Sequence, residues 1–123
     1  MKALSIRQPW AYKILRGAKK VEYRTWATEY RGPLLICTSL TWDENGKKKP
    51  DPQTLRVKYP QGVVYCVVDL TDIKSERADH PWYDDRKQLY CEWYLANPRP
   101  VKQFPVKGRL HLFDVPDKLI EMI

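Results

Sequence analysis

Apolar side chains recur at helical spacing near the start of the chain and alternate with polar ones further on. Between Pro9 and Gly17 they indicate an amphipathic helix, since proline suits the first helical position and glycine the residue after the last. The apolar stripe of this helix consists of Trp10, Ala11, Ile14 and Leu15. The same spacing leaves Tyr12, Lys13 and Arg16 facing solvent or a ligand.

Strand patterns make up most of the remaining chain. The predicted strands are 2–6, 20–26, 34–39, 62–71, 88–96 and 109–115. The run Val63–Val68 is rich in β-branched residues and is typical of a strand buried on both faces. We predict irregular or partly helical structure at 73–86, a break of the fifth strand at 97–100, and a short tail helix within 116–123. One early helix followed by several strands predicts an α+β domain with a central β-barrel.

Residues 41–61 differ from the strands around them. They contain Asn45-Gly46, three consecutive lysines and three prolines, which is the chemistry of a loop, with room for one short helix at 53–58. A loop of this length is either functional or an ordinary solvated surface segment. We therefore predict one domain at 1–115 that carries this loop, followed by a tail at 116–123.

Positive charge is concentrated at one end of the chain. The net charge is +7, and residues 1–31 hold eight basic and two acidic residues, which accounts for +6 of it. Such an imbalance predicts a polyanionic partner, above all nucleic acid, with a merely basic soluble surface as the alternative.

The densest group of candidate residues is Lys19, Glu22 and Arg24. On a strand, residues two apart lie roughly 6.5–7 Å apart on one face, so Glu22 and Arg24 point the same way and Trp26 follows them. A lysine, a carboxylate and a guanidinium at one cleft can bind a phosphate or read a base edge. The alternative is an ordinary surface ion pair.

Aromatic residues are interleaved with these bases. Single-stranded nucleic acid uses aromatic faces for stacking and basic groups for its phosphates, which makes Trp26 and Tyr30 ligand candidates. Tryptophans in a small barrel also fill the core, and this is the reading favoured for Trp10 and Trp93.

Other chemistry has little support in the sequence. Cys37, Cys66 and Cys91 each lie in an apolar run and are predicted to be buried, reduced thiols. The two histidines match no metal spacing, so we expect neither a metal site nor a cofactor. No apolar run approaches the roughly 20 residues of a membrane helix. We expect no membrane partner and predict a cytoplasmic location.

Several stretches together resemble the ASCH family, the activating signal cointegrator homology domains. They are Leu4–Ala11, the pattern Gly17-x-Lys19-x-x-Glu22-x-Arg24, Tyr30-Arg31-Gly32, Tyr59-Pro60-x-Gly62 and Phe104–Gly108. The resemblance runs from about residue 3 to 115. It implies a PUA-like β-barrel with the first helix packed beside the barrel mouth, and a cleft between them that takes RNA, DNA or a modified nucleoside.

The resemblance, the charge and the aromatic residues together give one candidate ligand-binding set. It consists of Arg7, Arg16, Lys19, Glu22, Arg24, Trp26, Tyr30 and Arg31. The favoured function is nucleic-acid binding, with RNA preferred over DNA as the partner. A protein-interaction module that uses the loop at 41–61, in a transcription or RNA-processing assembly, is a further alternative.

Enzymes also occur among the proteins that the chain resembles. Some are amidohydrolases of N4-acetylcytidine with the pattern Gly-x-Lys-Thr-x-Thr-x-Arg, in which the second threonine is the nucleophile. This chain has Lys20 and Glu22 at the two threonine positions and matches at Lys19 and Arg24, a departure that argues against that mechanism. Other members resemble ribonucleases, and in such a reaction Lys19 and Glu22 would be the catalytic pair.

Overall fold

The computed structural model describes residues 1–76 and 90–123. Its elements in chain order are β1 (Lys2–Gln8), α1 (Trp10–Leu15), β2 (Val21–Arg24), β3 (Gly32–Trp42), α2 (Pro52–Lys58), β4 (Val64–Glu76), β5 (Tyr90–Pro100), β6 (Phe113–Asp114) and a 3-10 turn (Asp117–Leu119). No helix within these residues is both long and apolar enough to span a membrane. The early helix and the short helix after residue 50 agree with the predictions.

The six strands form one mixed sheet in the order β2-β5-β4-β3-β1-β6. β1 runs parallel to β3, and the other neighbouring pairs are antiparallel. Helix α1 packs against β1, β3 and β5. The α+β class and the helix beside the sheet are confirmed. Closure of the barrel by hydrogen bonds is not seen, because within the described residues no ladder joins the two edge strands, β2 and β6, which are only four and two residues long.

Side chains from the two faces of the sheet enter two apolar clusters. The cluster under α1 includes Leu4, Ile6, Ile14, Leu34, Ile36, Cys66, Val68, Cys91 and Trp93. The cluster on the other side includes Ala3, Leu35, Cys37, Val64, Val67, Val101, Phe113 and Val115. Residues of β4 therefore enter both clusters, as the Val63–Val68 run predicts, although alternation is interrupted at a register shift where Tyr65 and Cys66 enter the same cluster.

Two segments in the central strands differ from the sequence-based expectations. The segment from residue 73 continues β4 as far as Glu76 instead of becoming irregular; the rest of that expected segment, to 86, and the predicted strand start at 88 and 89 lie outside the described residues. The expected break at 97–100 is wrong, because β5 passes through both prolines to Pro100. The pairing of β5 with β4 contains two shifts of register, one between Val67 and Asp69 and one between Leu70 and Asp72. In addition, Asn97 adopts a φ of 54°.

The C-terminal part of the chain is less regular than predicted. The strand expected at 109–115 is reduced to Phe113–Asp114, which pairs with β1, and the tail helix is reduced to one 3-10 turn. Backbone contacts hold the preceding segment instead. The Val64 amide donates to Phe104 at 3.0 Å and the Val106 amide to Gly62 at 2.9 Å, which places 104–106 beside the start of β4.

Candidate functional site

A cleft of about 700 Å³ opens between α1, one end of the sheet and the segment 106–111. Strands β1 and β2 contribute Ser5, Arg7, Glu22 and Arg24 to its lining. Trp10, Trp26, the residues at 38–40, Asp43 and Gly62 also line it. The cleft therefore lies beside the N-terminal helix, where the family resemblance implies one.

Glu22 and Arg24 form an ion pair deep in this cleft. Alternation along β2 turns both side chains to one face, and the Arg24 Nη2 atom lies 2.9 Å from the Glu22 Oε2 atom. The same Nη2 atom donates to the carbonyl oxygen of Ser5 at 2.9 Å, which ties β2 to β1. Only 11% of the Glu22 side chain and 24% of the Arg24 side chain are exposed.

One hydrogen-bond donor of Arg24 lacks a partner in the described part of the chain. Its Nε atom is buried and has no hydrogen-bond acceptor among the described residues. A buried donor without an acceptor is costly, and because solvent does not reach this atom, a ligand can supply the acceptor only after a shift of the Arg24 side chain. A guanidinium and a carboxylate side by side present donors and acceptors together, the combination that recognises the edge of a base.

Lys19 approaches this pair from outside the cleft lining. Its Nζ atom is 3.5 Å from the Glu22 Oε1 atom and lies over the rings of Trp10 and Tyr23, at 5.2 and 4.8 Å from their centroids. Burial lowers the pKa of Lys19, and the nearby Glu22 carboxylate partly offsets this. Lys19 lines a second, smaller cavity of about 340 Å³, together with Leu95 and other residues.

The two central tryptophans differ in role. Trp93 is fully buried, as predicted, and its Nε1 atom donates to the carbonyl oxygen of Trp26 at 3.1 Å. Trp10 packs against the core but also lines the cleft, and its Nε1 atom donates to the Asp43 carboxylate at 2.9 Å. The expectation of a purely core role for Trp10 therefore needs correction.

Trp26 lies at the cleft wall but beyond the end of β2, because the strand expected at 20–26 is shortened to Val21–Arg24. Its ring meets the rings of Trp93 and His111 edge to face, at centroid distances of 4.8 and 4.6 Å. These contacts fix the plane of the indole before any ligand arrives, so little entropy is lost when a base packs against it.

Three candidate residues lie outside the cleft. Arg16 is exposed after the end of α1, over the ring of Tyr12 at 5.8 Å. The Tyr30 hydroxyl donates to the carbonyl oxygen of Pro33, and its ring packs on the core. The Arg31 guanidinium donates hydrogen bonds to nearby backbone carbonyl oxygens, and its Nη2 atom lies 3.9 Å from the Asp72 Oδ1 atom. The structure therefore brings Arg7, Glu22, Arg24 and Trp26 together, with Lys19 in contact with Glu22.

The segment 106–111 is the part of the lining that sequence reasoning missed. It adds Lys107, Arg109, Leu110 and His111 to the cleft. Gly108 allows it to approach β1, since a Cβ atom at that position would lie 2.8 Å from the Ser5 Oγ atom. The Phe104–Gly108 motif was the available signal, but it gave no reason to place the segment next to β1, at the other end of the chain.

The described residues offer little other site chemistry. Among them, no group of three or more His, Cys, Asp or Glu side chains is placed to hold a metal ion. The three cysteines are free and buried, as predicted, and burial raises the pKa of Cys37 and of Cys66 to about 12.

The charged lining of the cleft is mainly basic. Its carboxylates are those of Glu22 and Asp43, and its four basic side chains are those of Arg7, Arg24, Lys107 and Arg109.

The fold and the cleft define a small α+β domain of the PUA-like type. The chain belongs to the ASCH domain family, whose sequence profile matches residues 4–105. It is 32% identical over 137 residues to activating signal cointegrator 1 of Homo sapiens and 31% identical to that of Mus musculus. The alignments cover 94% of this chain but 22% of each relative, so the chain spans about a fifth of their length.

Solved structures show the same fold at low sequence identity. The crystal structure of ASCH from Zymomonas mobilis superposes with a TM-score of 0.66 at 12% identity, covering 95% of this chain and 88% of that chain. Its S128A mutant gives a TM-score of 0.65 at 11% identity, covering 98% and 96%. These likenesses concern the fold alone.

Proposed function

We propose that this domain binds nucleic acid in the 700 Å³ cleft, with RNA preferred over DNA. The observation that carries the proposal is the Glu22–Arg24 pair, largely buried at the cleft lining beside Trp26, with one Arg24 donor unpartnered among the described residues. In this arrangement the pair contacts a base edge and Trp26 contacts a base face.

Basic side chains at the cleft rim suit the phosphates. Arg7, Lys107 and Arg109 are exposed, line the cleft, and make no ion pair with any described residue. Their charge is therefore available to a polyanion. Membership of the ASCH family supports the same class of ligand.

Binding should weaken steeply with salt. Each neutralised phosphate contributes about −0.7 to −0.9 to the slope of log affinity against log salt, so three to five contacts give roughly −2 to −5. Fluorescence anisotropy of a labelled single-stranded or hairpin ligand across a salt series measures this slope. A flat response excludes the proposal. No affinity for any nucleic acid, with a protein captured through the 41–61 loop, favours the interaction-module function instead.

A pair of arginine variants separates base recognition from general charge. We expect Arg24→Ala to lower affinity for the preferred sequence by about 1–3 kcal/mol and to flatten the preference, as loss of a bidentate base contact does. Arg16→Ala, outside the cleft, should weaken all sequences alike and reduce the salt slope by about one contact. Arg24→Lys keeps the charge but loses the planar fork, so full rescue by lysine would show that charge alone matters. Circular dichroism of each variant checks folding.

Hydrolysis of RNA is the second candidate function, and the Lys19–Glu22 contact favours it. The two groups lie 3.5 Å apart, only 14% and 11% exposed, and burial lowers the pKa of Lys19 towards the range of a general base. Turnover of a labelled RNA that disappears in Lys19→Met would establish this activity.

We expect no conversion of N4-acetylcytidine to cytidine by the threonine route, since Glu22 stands at the nucleophile position. Chromatography of the nucleoside after incubation with the protein measures whether cytidine is formed.

A further inference from the structure

Two leucines at the cleft are unusually exposed. Leu40, near the end of β3, is 80% exposed, and Leu110 is 89% exposed, yet both line the cleft. Single exposed leucines are common on protein surfaces. Two at the same opening, among exposed arginine and lysine side chains, form an apolar element within a charged rim. We call Leu40 and Leu110 the apolar rim.

Leu40 contacts a neighbouring glycine, and the backbone on both sides of Leu110 is held by other contacts. A Cβ atom at Gly62 would lie 2.8 Å from the Leu40 Cδ2 atom, so Leu40 lies against that glycine. Leu110 is flanked by Gly108, which is close-packed on Ser5, and by His111, whose ring contacts Trp26. The backbone that carries the apolar rim is therefore positioned before a ligand arrives, which reduces the entropic cost of bringing the two leucines to the cleft opening.

The depth of the cleft restricts what can reach its charged pair. The exposed fraction falls from 80–89% at the apolar rim to 24% at the Arg24 side chain and 11% at that of Glu22. A cavity of about 700 Å³ is the size that holds a drug-sized ligand, and so one or two nucleotides but not a duplex. A base must leave its stack before its edge reaches Glu22 and Arg24.

We propose that Leu40 and Leu110 contact the bases on either side of an unpaired nucleotide while that nucleotide occupies the cleft. The preferred ligand is then a stem interrupted or bordered by an unpaired nucleotide. Apolar side chains inserted at a base step replace part of the stacking that is lost there. The exposed Arg7, Lys107 and Arg109 contact the adjacent phosphates, which is the charge complementarity that selects nucleic acid as the occupant. This inference rests on the proposed function of the same cleft.

The test compares two labelled hairpins, made both as RNA and as DNA and each closed by a polyethylene glycol linker, so that neither has unpaired loop nucleotides. One has a fully paired stem, and the other carries a single-nucleotide bulge in that stem. By anisotropy at fixed salt, we expect the unmodified protein to prefer the bulged hairpin by roughly tenfold. In Leu110→Ser and Leu40→Ser this preference should fall to about twofold or less, while affinity for the paired hairpin and the salt slope stay unchanged, because no charge is altered.

Val57→Ser is the matched control. Val57 is also 80% exposed but lies on α2 and does not line the cleft, so its variant should keep the full preference. Thermal unfolding of all three variants confirms that they fold. An unchanged preference in both leucine variants, or equal binding of the two hairpins by the unmodified protein, overturns the apolar-rim proposal but leaves cleft binding intact. Loss of binding to every hairpin and single strand by the unmodified protein overturns both.

Discussion

At position 22 the chain places a carboxylate that is only 11% exposed between an ammonium and a guanidinium group. The Lys19 Nζ atom lies 3.5 Å from one oxygen and the Arg24 Nη2 atom 2.9 Å from the other. Burying a charge is costly unless it is paired, so each of the three groups makes the burial of the others tolerable. This mutual dependence explains why Lys19 belongs with the site although it lines the neighbouring cavity.

Removal of the central carboxylate should therefore destabilise the fold. We expect Glu22→Ala to lower the free energy of unfolding by about 2–3 kcal/mol, because it leaves two largely buried cations without their partner. Urea denaturation followed by tryptophan fluorescence measures the change.

Asp114→Ala is the matched control for this measurement. It breaks the Lys2–Asp114 pair, which has a similar separation of 3.3 Å but side chains that are 42% and 71% exposed. Exposed pairs are worth about 0–1 kcal/mol, so we expect a smaller loss there. Equal losses in the two variants would contradict the view that Glu22 is stabilising because of its burial.

At the level of elements, the loop that follows β3 is anchored to the start of α1. The Trp10 indole donates to the Asp43 carboxylate at 2.9 Å, and the Asp43 amide donates to the Gln8 carbonyl at 2.9 Å. The Trp42 indole donates to the Lys47 carbonyl at 2.9 Å. The first part of the lysine-rich segment is thus fixed beside the cleft, while Glu44, Asn45 and the three lysines are exposed.

Gly46 makes this close approach possible. A Cβ atom there would lie 2.5 Å from the Pro9 Cγ atom and 3.3 Å from the Trp10 Cζ2 atom. We expect Gly46→Ala to lower the free energy of unfolding by about 1–3 kcal/mol through overpacking and to loosen Trp10. Urea denaturation checks the stability. Lys48→Ala, an exposed change in the same loop, should have almost no effect, and a harmless Gly46→Ala would show that the loop is not held against α1.

For the whole molecule, the two apolar clusters determine how the fold responds to alkaline pH. Cys37 lies in one cluster and Cys66 in the other, and burial raises the pKa of each thiol from 9.0 to about 12. The unfolded chain releases these protons near pH 9, whereas the folded chain holds them up to about pH 12. The thiols therefore contribute stability that is complete below pH 9 and is lost as the pH rises from 9 to about 12.

Stability should accordingly fall between pH 8 and pH 10, by about 1 kcal/mol for each of the two thiols. Lys19 acts in the opposite sense, because its pKa is lowered on folding, and its contribution rises with pH up to its ordinary value of 10.5. Urea midpoints of the unmodified protein and of the double variant Cys37→Ala/Cys66→Ala, each compared with itself at pH 8, measure the effect. The thiol explanation fails if the variant loses as much as the unmodified protein.

The sequence by itself determined the features that depend on local periodicity. The stripe of α1, the shared face of Glu22 and Arg24, and the two-sided burial of β4 follow from spacings of about 3.6 and 2 residues, which operate within one element. The motif spanning Gly17–Arg24 also placed the chain in its family, since its side chains and its glycine fall at fixed local positions. These predictions needed no knowledge of which segments meet in space.

Only the tertiary structure decided which segments form the cleft and which candidates lie outside it. Segment 106–111 reaches β1 and the cleft wall at Trp26 because the sheet order puts β6 next to β1 and because Gly108 permits close contact. The residues of β2, where the candidate site was predicted, give no sign of either feature. Arg16 and Arg31 share the charge of Arg24 but project elsewhere. β5 continues through its prolines because pairing with β4, with shifts of register, outweighs the local tendency to break. Such outcomes depend on contacts between distant residues, which one-dimensional spacing does not contain.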